Sequence, residues 1–329
     1  MDAIAFHREI IVFDTLSLWF VTEERWAERW LAGGVTATIC TIGLEEPFET
    51  VLRNIDRTLR RIADSQTMLL ATTADDVLAA KRTGKLAVFL GTQGCSFVGS
   101  GDVWRIEHVH RLGVRSLGLA YTSGNLLADG CGERRDAGLS YLGREVIEAV
   151  NDLPMMLDLS HCGHRTRAEA AALARAPVCT HSNAYDLVAN DRNTRDETAR
   201  AIVAKGGMLS VVSLPKSIRA ENPTIEDLVD HVDHYRHAIG ADAVGFATDS
   251  VEGLAGNGPV VPPPEVVRWR TRRPDIFGTL EEFGREQYPI VSGTVPNLTA
   301  ALFARGYSAD AVAGIMGGNW VRCVRSFCG

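Results

Sequence analysis

The chain has 329 residues, 46% of them hydrophobic and 23% charged, with 34 Lys and Arg against 41 Asp and Glu for a net charge of −7. These values fit a soluble globular protein with a sizeable core. The acidic excess argues against a nucleic-acid or anionic-membrane partner, either of which needs concentrated Lys and Arg.

Seven cysteines without CxxC spacing suggest neither a disulfide framework nor a zinc knot, so a reducing, cytoplasmic setting is expected. The N-terminus, Met-Asp-Ala-Ile-Ala-Phe-His-Arg-Glu, has no basic segment leading into an apolar stretch, and no apolar run approaches membrane-spanning length.

Eight candidate strands follow in order: Ile10 to Phe13, Thr36 to Cys40, Leu86 to Leu90, Ser116 to Ala120, Met155 to Leu159, Pro177 to Thr180, Met208 to Val212 and Ala243 to Ala247. Short apolar runs bounded by turn residues read as strands buried on both faces. Helical patterns alternate with them at Val51 to Asp64, Ala74 to Thr83, Ile106 to Leu112, Gly143 to Asn151, Arg165 to Arg175, Asp196 to Lys205 and Ile225 to Ile239. Thr73 and Thr224 stand where N-caps belong. Proline and glycine make Gly253 to Pro264 a loop over one end of the sheet, and the tail reads as helices at Val295 to Ala304 and Ala309 to Phe327. The expected fold is α/β: a single (β/α)8 TIM barrel over residues 1–329 with a C-terminal helical extension.

Several strands stop on polar residues suited to metal binding or proton transfer, as Asp158-Leu-Ser-His161, Thr180-His181, Thr248-Asp249 and Thr92-Gln93 do. Barrel enzymes build their sites at strand C-termini, so His161, His181, Gln93 and Asp249 form the candidate cluster. For each the plain alternative is a packing histidine, a helix-capping aspartate or an amide tied to a loop. Cys131 lies beside Arg134 and Arg135, which favour a thiolate, but most such cysteines are inert. His231, His234 and His237 are spaced by three on one helix and read as a solvated face rather than a metal stripe.

The motifs Gly-Leu-Ser-Tyr-Leu-Gly-Arg-Glu-Val (138–146), Asp-Leu-Ser-His (158–161), Thr-His-Ser-Asn-Ala-Tyr (180–185), Arg-Asn-Thr-Arg-Asp (192–196), Gly-Phe-Ala-Thr-Asp (245–249) and Gly-Gly-Asn-Trp-Val-Arg (317–322) occur in this order. Together they resemble the renal (membrane) dipeptidase family of zinc peptidases in the amidohydrolase superfamily, most densely from Leu112 to Asp196. The resemblance implies two zinc ions bridged by a glutamate, a His-x-Asp pair on strand one, and a histidine on each of strands five and six. His161 and His181 match the last two. The strand-one pair falls on Leu16 and Leu18, and the bridging glutamate falls on Gln93, whose amide offers one neutral oxygen in place of two anionic ones. A substrate-contacting histidine corresponds to Tyr121, while Arg192 and Asp249 match the substrate-binding arginine and the strand-eight aspartate. Asn125 is placed beside Arg192 in substrate binding.

The expectation is a dipeptidase-like hydrolase acting on an amide bond in a small carboxylate-bearing molecule, such as a dipeptide or N-acyl amino acid. Asp249, Tyr121 and Gln93 are its catalytic residues, and one divalent ion, zinc by type, sits on His161 and His181. The same residues leave open a metal-free carboxylate-binding homologue, or a metal-independent lyase or isomerase. A homodimer is compatible with each.

Overall fold

The computed structural model describes residues 2–254, 262, 264–283 and 287–329. Nine parallel strands form one sheet: β1 (Phe13–Ser17), β2 (Ala37–Gly43), β3 (Met68–Leu70), β4 (Leu86–Thr92), β5 (Val114–Gly118), β6 (Met156–Asp158), β7 (Pro177–Val178), β8 (Leu209–Val212) and β9 (Val244–Ala247). Eight run in the order β7-β6-β5-β4-β2-β1-β9-β8. The ring closes through Cys179, whose N–H bonds Met208 O at 2.8 Å and whose carbonyl accepts from Ser210 N at 2.9 Å. The result is the expected (β/α)8 barrel, helices outside and C-terminal helices appended. β3 is the extra strand, pairing only with Leu86 to Val88 at the lower edge of β4.

β2 and β4 are buried along their whole length because helices cover the outside and side chains fill the inside. The lower barrel is apolar. Phe13 stacks on Phe89 at 5.6 Å between ring centroids, and Trp320 lies 6.1 Å from Phe13. Trp320 reaches the interior because Gly245 has no side chain: a Cβ there would meet the indole nitrogen at 2.2 Å. That nitrogen donates to Ser210 Oγ at 2.7 Å.

Helices Ala74–Thr83 and Ile225–Ile239 have the expected bounds, set by capping boxes in which Thr73 and Thr224 accept from the backbone of Asp76 and Asp227. Two expectations need correction. The first strand is β1, later than Ile10 to Phe13, because Ile10 caps the helix Ala3–Glu9. The strand runs on through polar residues whose burial is compensated by neighbouring elements: Thr15 Oγ1 donates to Phe246 O on the adjacent β9 at 2.9 Å, and Asp14 accepts from Trp30 Nε1 at 3.0 Å. The helix expected from Ala309 to Phe327 is broken into Ala309–Ala313, a π turn at Gly314–Gly318 and Asn319–Cys328. The break lets the chain pass β1, since a Cβ on Gly317 would lie 2.5 Å from Ile11 O. Of the loop expected at Gly253 to Pro264, residues 255–261 and 263 lie outside the described residues. No described helix is long and apolar enough to cross a membrane.

Candidate active site at the barrel mouth

The C-terminal ends of β1, β4, β5, β6, β7 and β9 converge on the mouth. One cavity of about 110 Å³ there is lined by Gln93, Tyr121, His161, Arg192, Asp249 and Leu18, among others. His181 stands against His161, their Nε2 atoms 3.0 Å apart. Residues from six separate stretches of sequence are thus brought together. Asn125 is not: its amide donates to Leu119 O at 2.8 Å and to Glu45, and its Oδ1 accepts from Leu127 N and Ala128 N. Its side chain holds its own loop in place of lining the cavity. Leu16 packs with Val212, Ala247 and Leu214.

Hydrogen bonds fix the histidine tautomers. Asp158 accepts from Ser160 Oγ at 2.6 Å and from Thr180 Oγ1 at 2.5 Å, so the Thr180 hydroxyl proton is spent on the carboxylate. Its oxygen, 2.6 Å from His181 Nδ1, therefore accepts from that nitrogen, leaving a lone pair on His181 Nε2. On His161, Nε2 faces a guanidinium N–H of Arg192 at 3.1 Å and must accept, while Nδ1 donates to Thr122 Oγ1 at 3.0 Å. Burial, then the nearby Arg192, holds both rings well below the usual histidine range. Both are neutral, with the His161 lone pair engaged by Arg192 and that of His181 turned toward the same nitrogen.

Arg192 and Arg167 are fully buried. Among the described residues neither has a carboxylate within hydrogen-bonding distance. Arg167 donates only to backbone carbonyls, those of Leu159, Ser160, Arg192 and Asn193, and so ties the loop of His161 to the loop of Arg192. Arg192 donates to Ser160 O, and its Nε is buried without a partner among the described residues. Such an orphaned cationic donor beside a cavity is a site for an anion.

Asp249 follows β9 with φ of +45°, a left-handed conformation uncommon for a residue with a side chain. Burial is the main force pushing its carboxyl up to about 7, opposed by Arg192 and reinforced by Asp14. Gln93 donates its amide to Thr41 Oγ1 at 2.8 Å. The Tyr121 ring lies 4.3 Å from that of His161, and its backbone N–H is held by Glu45.

Cys131 is buried and its thiol is pushed up by desolvation, consistent with an inert side chain. The three-spaced histidines diverge, His234 to Asp196 at 2.7 Å and His237 to Asp233 O at 2.6 Å. His231, expected on a solvated face, is buried, bonding Ala184 N and Ile218 O, because its helix turns that side toward the barrel.

Sequence reasoning missed Arg167, Glu45 and the aromatic cover formed by Trp269, Phe277 and Phe283. Arg167 carried a signal: it shares a helix face with Ala170 and Ala171, both buried.

Comparison with known proteins places these features in a family. The model of the membrane dipeptidase family, peptidase family M19, matches residues 19–258, beginning just past Leu16 and Leu18. Dipeptidase tcpJ of Claviceps purpurea is 32% identical over 275 residues, 81% of this chain and 57% of that protein. The chain spans about half the length of the curated relatives it matches. Among solved structures, an amidohydrolase from Pseudomonas aeruginosa superposes with a TM-score of 0.86 at 28% identity over 100% of both chains. A metallo peptidase from Rhodobacter sphaeroides, liganded with a phosphinate mimic of the dipeptide L-Ala-D-Ala, shares the fold with a TM-score of 0.76 at 20% identity, over 97% of this chain and 99% of its own.

Proposed function

The chain belongs to the membrane dipeptidase family, peptidase family M19, and from that membership we propose that it hydrolyses an amide bond in a small carboxylate-bearing molecule, a dipeptide or N-acyl amino acid. One observation carries the reading: an orphaned guanidinium N–H, two neutral imidazoles and a carboxyl group raised toward neutrality meet at one barrel mouth.

The donor set gives one metal ion two histidine nitrogens, short of the three protein ligands usual at a catalytic zinc, and among the described residues gives a second ion none. Two acceptor nitrogens 3.0 Å apart repel one another, and a cation held by both would relieve that repulsion. For a second ion, Leu16 and Leu18 offer nothing and Gln93 only a neutral amide; among the described residues no group of three or more His, Cys, Asp and Glu converges. His161 and His181 would hold the single ion, competing with the Arg192 N–H for one lone pair and against two buried guanidiniums. When bound, it supplies Lewis acidity to a carbonyl or water.

The chain's own residues do the rest. Arg192 anchors the substrate carboxylate. Asp249 takes a proton from the attacking water and returns it to the leaving nitrogen as the C–N bond breaks. Tyr121 donates to the developing oxyanion and Gln93 orients the water. The substrate is a small molecule, and the site requires neither nucleic acid nor membrane. A second reading, a carboxylate-binding homologue without turnover, draws on the Arg192 contact that occupies the His161 lone pair.

Two measurements on the purified protein separate these: metal content after dialysis, and turnover of a dipeptide and N-acyl amino acid panel. Hydrolysis with at most one metal per chain is the expected result. Carboxylate binding with no turnover across the panel would establish the second reading.

A further inference from the structure

The cavity that holds the polar cluster has a second wall of opposite character. Leu18, Leu214 and Val251 line it from the barrel loops, and Trp269, Phe277 and Phe283 line it from residues 264–283, which arch over the mouth. The arch is fastened to the loop that carries Arg192. Asn190, two residues before Arg192, donates to Ile276 O at 3.1 Å, and Arg273 pairs with Asp191 at 2.8 Å. Arg270 lies over the Phe283 ring at 4.9 Å and donates to Thr279 O at 3.0 Å, which holds the aromatic wall in place. Trp269 and Phe283 are 7% and 9% exposed, so these rings are packed walls and not solvent-facing flaps.

We propose that the molecule bound here carries an apolar side chain or acyl group of leucine or phenylalanine size, seated between these two walls while Arg192 takes its carboxylate. The inference rests on the carboxylate-binding role of Arg192 proposed above and adds the class of group attached to it. Three observations support it. Leu18, at a position where the family resemblance implies a metal ligand, gives this side of the mouth an apolar surface. The cavity of about 110 Å³ has room for one small ring or branched aliphatic group. Arg270 also lines the cavity, but its guanidinium is engaged by the Phe283 ring and Thr279 O, and a polar group pressed between leucine, valine and aromatic rings would lose its water without gaining a partner. Burying a leucine or phenylalanine side chain corresponds to roughly 10- to 100-fold in affinity.

The test is equilibrium binding of N-acetyl-glycine, N-acetyl-leucine, N-acetyl-phenylalanine and N-acetyl-glutamate to the intact chain, followed by calorimetry. Leucine and phenylalanine derivatives should bind at least about tenfold more tightly than glycine and glutamate derivatives. Trp269→Ala, and separately the milder Leu18→Thr, should shrink that gap while leaving N-acetyl-glycine affinity near its original value. Equal affinity across the series, or preference for glutamate, overturns the apolar subsite and leaves the role of Arg192 standing. No binding of any derivative overturns the carboxylate reading itself, and this inference with it.

Discussion

The two ends of the barrel interior are built on opposite principles. At the lower end Phe13, Phe89 and Trp320 pack ring against ring, and the one polar atom, the indole nitrogen, has its partner in Ser210. At the mouth two guanidiniums and two imidazoles are buried and a half-buried Asp249 stands beside them, with an orphaned Arg192 Nε and a strained backbone at Asp249. The lower end can be explained by stability alone. The mouth cannot, since buried charge and left-handed φ both cost free energy, and a folded chain keeps such features where they do something else.

Asp249→Asn tests this contrast most severely. If Asp249 carries the proton, turnover should fall by about 10²- to 10⁴-fold in steady-state assays. Stability should move the other way. A carboxyl raised to about 7 in the fold contributes stability below its unfolded value of 3.8, and that contribution is lost as pH rises through about 7. Asparagine escapes this loss and tolerates positive φ, so the variant should melt above the parent at pH 8 to 9, the advantage fading toward pH 4. Unimpaired turnover would remove Asp249 from the mechanism.

At the other end, Trp320→Ala should cost about 3–5 kcal/mol of unfolding free energy by denaturant titration, with KM unchanged in the protein that remains folded. Arg192→Lys keeps the charge but loses the planar fork, and should raise KM by roughly 10- to 100-fold with a smaller change in kcat. The least dramatic effect is on stoichiometry. Leu16→His, Leu18→Asp and Gln93→Glu together should bring dialysis-resistant metal from at most one per chain toward two by elemental analysis, and none of the three should do so alone. Two equivalents in the parent chain would refute the one-ion reading.

What was legible in the sequence follows from the same contrast. Strands β2 and β4 and the two Thr-capped helices announce themselves through apolar runs and capping residues, which are local signals. β1 starts later than its apolar run suggests because its later residues are polar and yet buried, their partners lying on the adjacent β9 and on the helix Glu24–Ala32. β3 is three residues long and carries no periodicity. His161, His181, Arg192 and Asp249 each end an apolar run or sit in a family motif, and the fold brings them to one mouth. Asn125 could not, since only the folded loop reveals that both ends of its amide are taken by neighbours. The aromatic wall was hidden for a related reason: Trp269, Phe277 and Phe283 come from a segment with no motif and meet the site only through tertiary folding.

The way the ring closes has a consequence for motion. β7 is two residues long, and the junction with β8 is carried by the few backbone bonds around Cys179, whereas β2 and β4 are paired in register from Ala37 through Thr41. Local opening starts where the fewest bonds must break together, so the ring breathes first at this seam, and amide protons at Cys179 and Ser210 exchange with solvent sooner than those of β2 and β4. His181 lies two residues beyond Cys179 and rides on the seam, while His161 is anchored on the far side of β7. Yet Thr180 donates to Asp158 and His181 N–H donates to Ser160 Oγ, so both histidines stay with β6 and β7 when the seam opens, and the facing nitrogens remain together.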